Sequence, residues 1–140
     1  MTAFNKAYLD TAPIIYYLED ILPYAEVMHA FLLQGIKNNV QFFTSTVTNM
    51  EFLVQPIKQN NKQVIDDFTR FKNLLNIKTI SVNDDIAIAA AKIRAKYESI
   101  KGMDALHLAS AIQNKCTIFL TNDKQLKQVT EIQCVLMDEV

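Results

Sequence analysis

The sequence predicts an α/β fold in which helices cover a largely parallel sheet. Short apolar runs typical of strands alternate along the chain with longer segments that have helical spacing. Half of the 140 residues are hydrophobic, and only 2 Gly and 3 Pro occur. The chain can therefore bury a sizeable core and offers no flexible linker, so we expect residues 1–140 to form one domain.

The predicted elements follow one another in a regular order. Five short runs are predicted as strands: 7–10, 40–44, 79–82, 117–120 and 133–137. Helices are predicted to begin near Pro13, to span 25–38, to begin at Ser45, to span 63–75, to run from Asn83 or Asp84 to Ala95, and to span 104–114. The helix over 63–75 is the clearest, because its apolar residues recur on one side and its charged residues occupy the other.

The first helix is predicted to be apolar nearly all round. Ile14 to Leu22 contains two Tyr, three Ile and two Leu with few polar residues. One side can pack on the sheet, while the other side has no obvious cover in the sequence. A helix that is hydrophobic on every side is buried somewhere, so both a protein partner and ordinary core packing stay open.

Charge and cysteine content limit the functions and the cellular compartments that fit this sequence. The chain has 14 Lys+Arg and 15 Asp+Glu, so any nucleic acid must be bound locally and not through bulk electrostatics. Cys116 and Cys134 lie among apolar neighbours and outside any CxxC pattern, which favours two small buried hydrophobes over a disulfide. No apolar run reaches the roughly 18 residues of a membrane span, and we expect a cytoplasmic protein.

Four carboxylates lie where predicted strands lead into helices. Asp10 ends the first strand, Glu51 lies early in the helix after the second, Asp104 opens a later helix, and Asp123 follows the fourth strand. Each has a simple structural explanation, because acidic side chains cap helix N-termini or complement the helix dipole. In particular, Thr48 with Glu51 fits a capping box.

Taken together, the four acids indicate a shared site. The carboxyl ends of parallel strands meet at one edge of a sheet, and carboxylates gathered there would repel one another at low dielectric. A divalent cation would neutralise them, and Mg²⁺ and Mn²⁺ prefer oxygen ligands and leave room for a substrate phosphate. The pattern therefore favours an acidic Mg²⁺ or Mn²⁺ site for phosphoryl chemistry.

Four segments that contain these acids resemble the motifs of the PIN-domain family, in the family's order. They are LDTAPIIYYLE at 9–19, TSTVTNMEFL at 44–53, GMDALHLASA at 102–111 and FLTND at 119–123. The resemblance covers nearly the whole chain. Within the family, the sequence is similar to the VapC-like ribonuclease toxins of type II toxin–antitoxin pairs. It implies a three-layer α/β/α fold around a central, mainly parallel sheet.

The resemblance also implies an activity, a cofactor and partners. Asp10, Glu51, Asp104 and Asp123 would hold Mg²⁺ or Mn²⁺, and Thr11, Thr121 and Asn122 would be supporting polar groups. The activity implied is endonucleolytic hydrolysis of RNA, with a cognate antitoxin as partner and a homodimer as assembly. Asp123 departs from some relatives because no further Asp-Phe pair follows it.

Two histidines and a basic stretch have competing interpretations. His107 lies three residues after Asp104 and could be a ligand or a base, but hard cations prefer oxygen, so a packing role is favoured. His29 is expected to be a surface or packing residue. RNA contact by Lys92, Lys96 or Lys101 competes with a simple solvated helix face.

Two other functions compete with a nuclease. One is a PIN-like module that binds RNA or protein without cleaving it. The other is a different phosphoryl-transfer protein, either an aspartyl-phosphate phosphatase or a receiver domain. The phosphatase needs a second aspartate two residues after the first, where Ala12 stands, and the receiver domain needs an acidic pair at the first strand and a lysine after the last.

Overall fold

The computed structural model describes residues 5–140, in which five strands form one sheet. The sheet has the order β3-β2-β1-β4-β5, and every neighbouring pair is parallel. The strands are β1 (Lys6–Leu9), β2 (Gln41–Ser45), β3 (Lys78–Ile80), β4 (Ile118–Thr121) and β5 (Gln133–Leu136). The predicted parallel sheet is confirmed, with β3 two residues shorter at its end than the apolar run suggested.

Six α-helices and one short 3₁₀ segment connect the strands within residues 5–140, and a second 3₁₀ segment follows the last strand. The helices are α1 (Thr11–Leu18), α2 (Tyr24–Lys37), α3 (Thr46–Lys58), α4 (Lys62–Leu74), α5 (Asp84–Lys96) and α6 (Gly102–Gln113). The 3₁₀ segments are Lys124–Gln128 and Met137–Glu139.

Alternate residues of the strands face two separate cores. Tyr8 and Phe43 point to the side covered by α5 and α6. Ala7, Leu9 and Phe42 point to the side covered by α1, α2, α3 and α4. Because both faces are buried, the centre of most strands is apolar, as expected for a parallel sheet, while polar residues stand mainly at the strand ends. The three-layer α/β/α architecture is confirmed.

Helix α2 approaches the sheet closely at one position. A Cβ atom built on Gly35 would lie 2.4 Å from Cζ of Phe42, which is itself buried at 1% exposure. No side chain larger than hydrogen fits there without displacing the ring. Gly35 therefore lets the α2 backbone pack directly on β2.

The first helix is partly covered by its own chain: Ile15, Tyr16, Tyr17 and Leu18 pack against the core but stay half-buried, so core packing accounts for part of its apolar surface and a partner stays open. Ile14 is fully buried, the ring of Tyr16 stacks on Tyr24 at 4.8 Å between centroids, and Tyr17 lies 5.6 Å from Phe71. Helices α2 and α4 thus provide a partial cover that the local sequence could not show. The helix ends at Leu18, and the exposed apolar residues that remain lie beyond it, Ile21 at 39% and Leu22 at 61%.

The structure also tests the predictions for the two cysteines, for His29 and for membrane-spanning helices. Cys116 and Cys134 are free and buried, and burial raises the pKa of each thiol to about 12, which fits inert hydrophobes. His29 is exposed, and its ring stacks on Tyr17 with 6.3 Å between ring centroids, which confirms a surface or packing residue. Within residues 5–140, no helix combines the length and the apolar character that crossing a membrane requires.

Candidate functional site

The strand order places a crevice at the carboxyl ends of β1 and β4. The order reverses direction at β1, and open parallel sheets form clefts at such a point. A cleft of about 750 Å³ lies there. All four predicted carboxylates and all three predicted polar residues line it, and the full lining is Asp10, Thr11, Ala12, Ile15, Tyr16, Glu51, Asp104, Thr121, Asn122, Asp123 and Lys124.

Asp10 is fixed on both carboxylate oxygens. It directly follows β1 and is the N-cap of α1, with Oδ1 accepting a hydrogen bond from the Thr11 backbone N–H at 2.8 Å. Oδ2 accepts from the Thr121 hydroxyl at 2.7 Å. The backbone N–H of Asp10 donates to Leu120 at 3.0 Å, which ties the residue to β4. Asp10 therefore both caps α1 and belongs to the acidic cluster.

Glu51 is held from the neighbouring elements and not by a capping box. The predicted pair of Thr48 with Glu51 is wrong as a cap, because Ser45 caps α3 and the helix begins three residues earlier than Thr48 requires. Thr48 is instead fully buried, with its hydroxyl 2.9 Å from that of Thr11. Thr11 in turn donates to Oε1 of Glu51 at 2.7 Å.

The same carboxylate oxygen has a second neighbour. Nε2 of His107 lies 2.7 Å from Oε1 of Glu51. This hydrogen bond is the main reason that the pKa of Glu51 is lowered, against the opposing effect of burial, and the Thr11 hydroxyl lowers it further. Glu51 is thus stabilised as a carboxylate at the edge of the cleft.

Asp104 lies in the first turn of α6, two residues after the helix begins at Gly102. Burial raises the pKa of its carboxyl from an ordinary value of 3.8 to about 6, and the negative charges of Asp10, Asp123 and Glu51 raise it further, while His107 opposes them. The three other acids are therefore close enough to act electrostatically on Asp104.

Asp123 and its neighbours complete the rim along β4. Asp123 caps the 3₁₀ segment by accepting from the Gln125 backbone N–H at 3.0 Å, and its own N–H donates to the Thr121 hydroxyl at 3.1 Å. Thr121 therefore connects Asp123 to Asp10. The Asn122 amide donates to the Tyr16 hydroxyl at 3.2 Å, which fixes the ring at the cleft wall.

His107 has a more specific environment than a packing residue. Its side chain is fully buried, and Nδ1 lies 2.6 Å from the Tyr8 hydroxyl while Nε2 faces Glu51. The sequence offered one signal for this contact, the spacing of three residues from Asp104 on α6. Tyr8 had no such signal, because it lies 99 positions away from His107.

The basic residues differ in their distance from the acids. Lys101 lines a small cavity together with Asp104 and Asp123. Lys96 instead pairs with Glu131 at 3.5 Å, and its Nζ lies 5.2 Å from the Tyr97 ring centroid. Lys92 is exposed on α5. Lys124 and Tyr16 also line the cleft, although no motif in the sequence marks either as a site residue.

The donor set fits a hard divalent cation in its chemistry. Carboxylate oxygens are the ligands that Mg²⁺ and Mn²⁺ prefer, and the pKa of Asp104 is raised first by burial and then by the negative charges of the other three acids, which a cation would offset. In the described part of the chain, no three His, Cys, Asp or Glu side chains converge tightly enough to hold a metal ion as they stand.

Comparison with known proteins identifies a family and a set of similar folds. A sequence model of the PIN domain matches residues 7–132. VapBC2 from Rickettsia felis, bound to a DNA fragment from its promoter, superposes with a TM-score of 0.74 at 15% identity over 94% of this chain and 98% of its own.

Two further structures are similar over nearly their whole length. A toxin–antitoxin complex from Klebsiella pneumoniae has a TM-score of 0.70 at 23% identity, covering 96% of this chain and 99% of the other. FitAcB from Neisseria gonorrhoeae has a TM-score of 0.74 at 17% identity, with the same two coverages. A comparison with curated protein sequences gave no match.

Proposed function

Because this chain belongs to the PIN domain family, we propose that it is a metal-dependent endoribonuclease that hydrolyses phosphodiester bonds in RNA. One observation carries the proposal: four carboxylates from separate parts of the chain line a single cleft at the carboxyl edge of the sheet. Such a cleft repels phosphate unless a cation lies between them. The chemistry of the residues therefore favours a cation-assisted reaction of a phosphate ester.

Each group in the cleft has a role in this proposal. Asp10, Glu51, Asp104 and Asp123 would hold Mg²⁺ or Mn²⁺ through their oxygens. When bound, the cation supplies positive charge beside the phosphate and lowers the pKa of water. Thr11 and Thr121 orient Glu51 and Asp10 through the hydrogen bonds at 2.7 Å.

Lysines at the rim are the proposed contacts for RNA. Lys101 and Lys124 adjoin the acidic residues, where they would meet phosphates that flank the scissile bond. Lys96 is less well placed, since Glu131 already neutralises it. Lys92 stays a weaker candidate with no contact to the cleft.

We also propose that the protein is a toxin controlled by a cognate antitoxin. The supporting observation is that similar folds occur in VapBC, FitAcB and toxin–antitoxin complexes. An inhibitor that placed Arg or Lys in the acidic cleft would pair with the carboxylates and exclude both cation and substrate. A homodimer stays a prediction, to be tested by size-exclusion chromatography with light scattering.

Cleavage of RNA by the purified protein tests the central proposal. Mg²⁺ or Mn²⁺ should support cleavage, EDTA should abolish it, and Asp10→Asn and Asp104→Asn should each remove it while retaining the fold. Asp66→Asn is the matched control, because Asp66 is an exposed partner of Lys62 on α4, away from the cleft. Undiminished cleavage by a cleft variant would exclude that residue. RNA binding without cleavage by the parent would favour the binding module instead.

Expression in cells tests the partner. The protein alone should slow growth, and co-expression with the product of the adjacent gene should abolish the effect. Substituting Tyr16 would confuse this test, because Tyr16 lines the cleft. Leu22→Glu is the cleaner change, since Leu22 is 61% exposed and lies outside the cleft lining. If the variant binds the partner unchanged, this exposed segment is no part of the contact.

A further inference from the structure

A buried chain of polar groups runs beneath the acidic cleft from the sheet to Glu51. Tyr8 lies on β1 with its side chain fully buried, and its hydroxyl lies 2.8 Å from the Ser45 hydroxyl and 2.6 Å from Nδ1 of His107. Nε2 of His107 then lies 2.7 Å from Oε1 of Glu51. The chain thus joins two strands, α6 and α3 at one carboxylate.

The imidazole is anchored at both ends, and Nε2 also lies 3.3 Å from the Thr11 hydroxyl and 3.6 Å from Oδ1 of Asp10. His107 is fully buried, and its edge meets the Tyr8 ring at 5.7 Å between centroids. A buried polar group is costly unless hydrogen-bonded, and here both ring nitrogens have partners. Since a carboxylate only accepts, Nε2 must carry a hydrogen toward Glu51.

The hydrogen bonds described for Glu51 all involve the same oxygen. Oε1 accepts from both the Thr11 hydroxyl and His107, each at 2.7 Å. Two donors from different elements fix the position of that oxygen and hence the plane of the carboxylate. Oε2 is left as the oxygen that a ligand in the cleft can use.

We propose that His107 is a positioning residue for the cation site, which holds Glu51 so that Oε2 is available to the ion. Tyr8 and Ser45 support it by fixing the ring from the opposite side. This inference rests on the proposed function, because it assumes that the cleft takes a divalent cation. His107 itself is no ligand in this arrangement, since its Nε2 is already occupied by Glu51.

A pair of amide variants separates positioning from packing. The amide nitrogen of Gln can take the place of Nε2, whereas the amide of Asn reaches only the position of Nδ1. His107→Gln therefore keeps the donor to Glu51, and His107→Asn keeps only the contact with Tyr8. A residue that merely fills space would show no preference for Gln, the variant that preserves the donor.

Mn²⁺ affinity measured by titration calorimetry is the readout, with no RNA present. Loss of a residue that orients a metal ligand typically weakens metal binding by about 10–100-fold. We expect a loss of that size for His107→Asn and recovery of most of it in His107→Gln. In a Glu51→Gln background, His107→Asn should add no further loss, because the two residues act through one contact.

A second measurement protects the test against misfolding of a core variant. In ¹⁵N-histidine-labelled protein, the Nε2 proton of His107 should be protected from solvent exchange, and Glu51→Gln should shift its resonance. Tyr8→Phe retains the packing of the ring and should weaken Mn²⁺ binding in the same direction.

The outcomes distinguish the two proposals. Equal Mn²⁺ affinities for the Asn and Gln variants, or additive losses with Glu51→Gln, would overturn the positioning role while leaving the cation site intact. A parent protein that binds no Mn²⁺ would overturn the proposed function, and the positioning role with it.

Discussion

Asp104→Asn should stabilise the protein at neutral pH in the absence of divalent cations. The pKa of Asp104 rises from 3.8 to about 6 on folding, so the folded state binds this proton more tightly than the unfolded state. The stability associated with the protonated carboxyl is present below pH 3.8 and is lost as the pH rises through about 6. At pH 7.5 the folded protein carries the full cost of the buried charge, and asparagine removes it.

The magnitude follows from the shift and from the exposure of the site. A shift of roughly 2 pKa units corresponds to about 3 kcal/mol. Asp104 is only half-buried at the edge of an open cleft, and solvent screening reduces the expected gain to about 1 kcal/mol. For a chain of this length that gain raises the melting temperature by about 3 °C.

Thermal unfolding followed by circular dichroism in EDTA measures this gain. The difference between variant and parent should be present at pH 7.5 and disappear near pH 4, where the parent carboxyl is largely protonated. Added Mn²⁺ should raise the melting temperature of the parent more than that of Asp104→Asn, because binding to the folded state stabilises it. A gain that is independent of pH, or equal metal shifts in both proteins, would refute the shared acidic site.

Two further changes test packing and RNA contact. Gly35→Ala should lower the free energy of unfolding by about 1–3 kcal/mol in urea denaturation, because the new Cβ meets the buried Phe42 ring at 2.4 Å. Gly102→Ala is its control and should be near neutral, since the nearest atom lies 4.0 Å away; equal losses would contradict the argument. Lys101→Ala should weaken RNA binding and reduce its salt dependence by about one phosphate contact, whereas Lys92→Ala should change neither. Anisotropy titrations at several salt concentrations measure both, and the reverse order would place the RNA elsewhere.

The fold was predictable because its signals are local. Strand and helix periodicity is set by which faces are buried, and both faces of this sheet are covered, so apolar runs mark the strands directly. The acids were predictable for a related reason. In a parallel sheet the residues that follow each strand meet at one edge, so the positions of Asp10 and Asp123 in the sequence already imply their proximity.

The contacts that depend on tertiary register were not predictable. The ring of Phe71 on α4 contacts the ring of Tyr17 on α1, and the periodicity of either helix alone cannot predict a contact between the two. The sequence leaves the cap of α3 undecided between Ser45 and Thr48, because both are good caps and only the end of β2 decides between them. His107 was interpreted from its own helix, while the hydroxyl of Tyr8 that anchors it lies on β1.

The two hydrogen bonds accepted by the Asp10 carboxylate affect how this protein can change during evolution. Its carboxylate starts a helix and also lines the cleft, so most replacements at position 10 would cost stability and activity together. Asp104 carries no comparable structural duty, and losing its charge is expected to stabilise the apo fold. A lineage released from selection for activity would therefore lose Asp104 readily and keep Asp10. Descendants of this fold that no longer cleave should still carry an aspartate at position 10, because it caps the first helix.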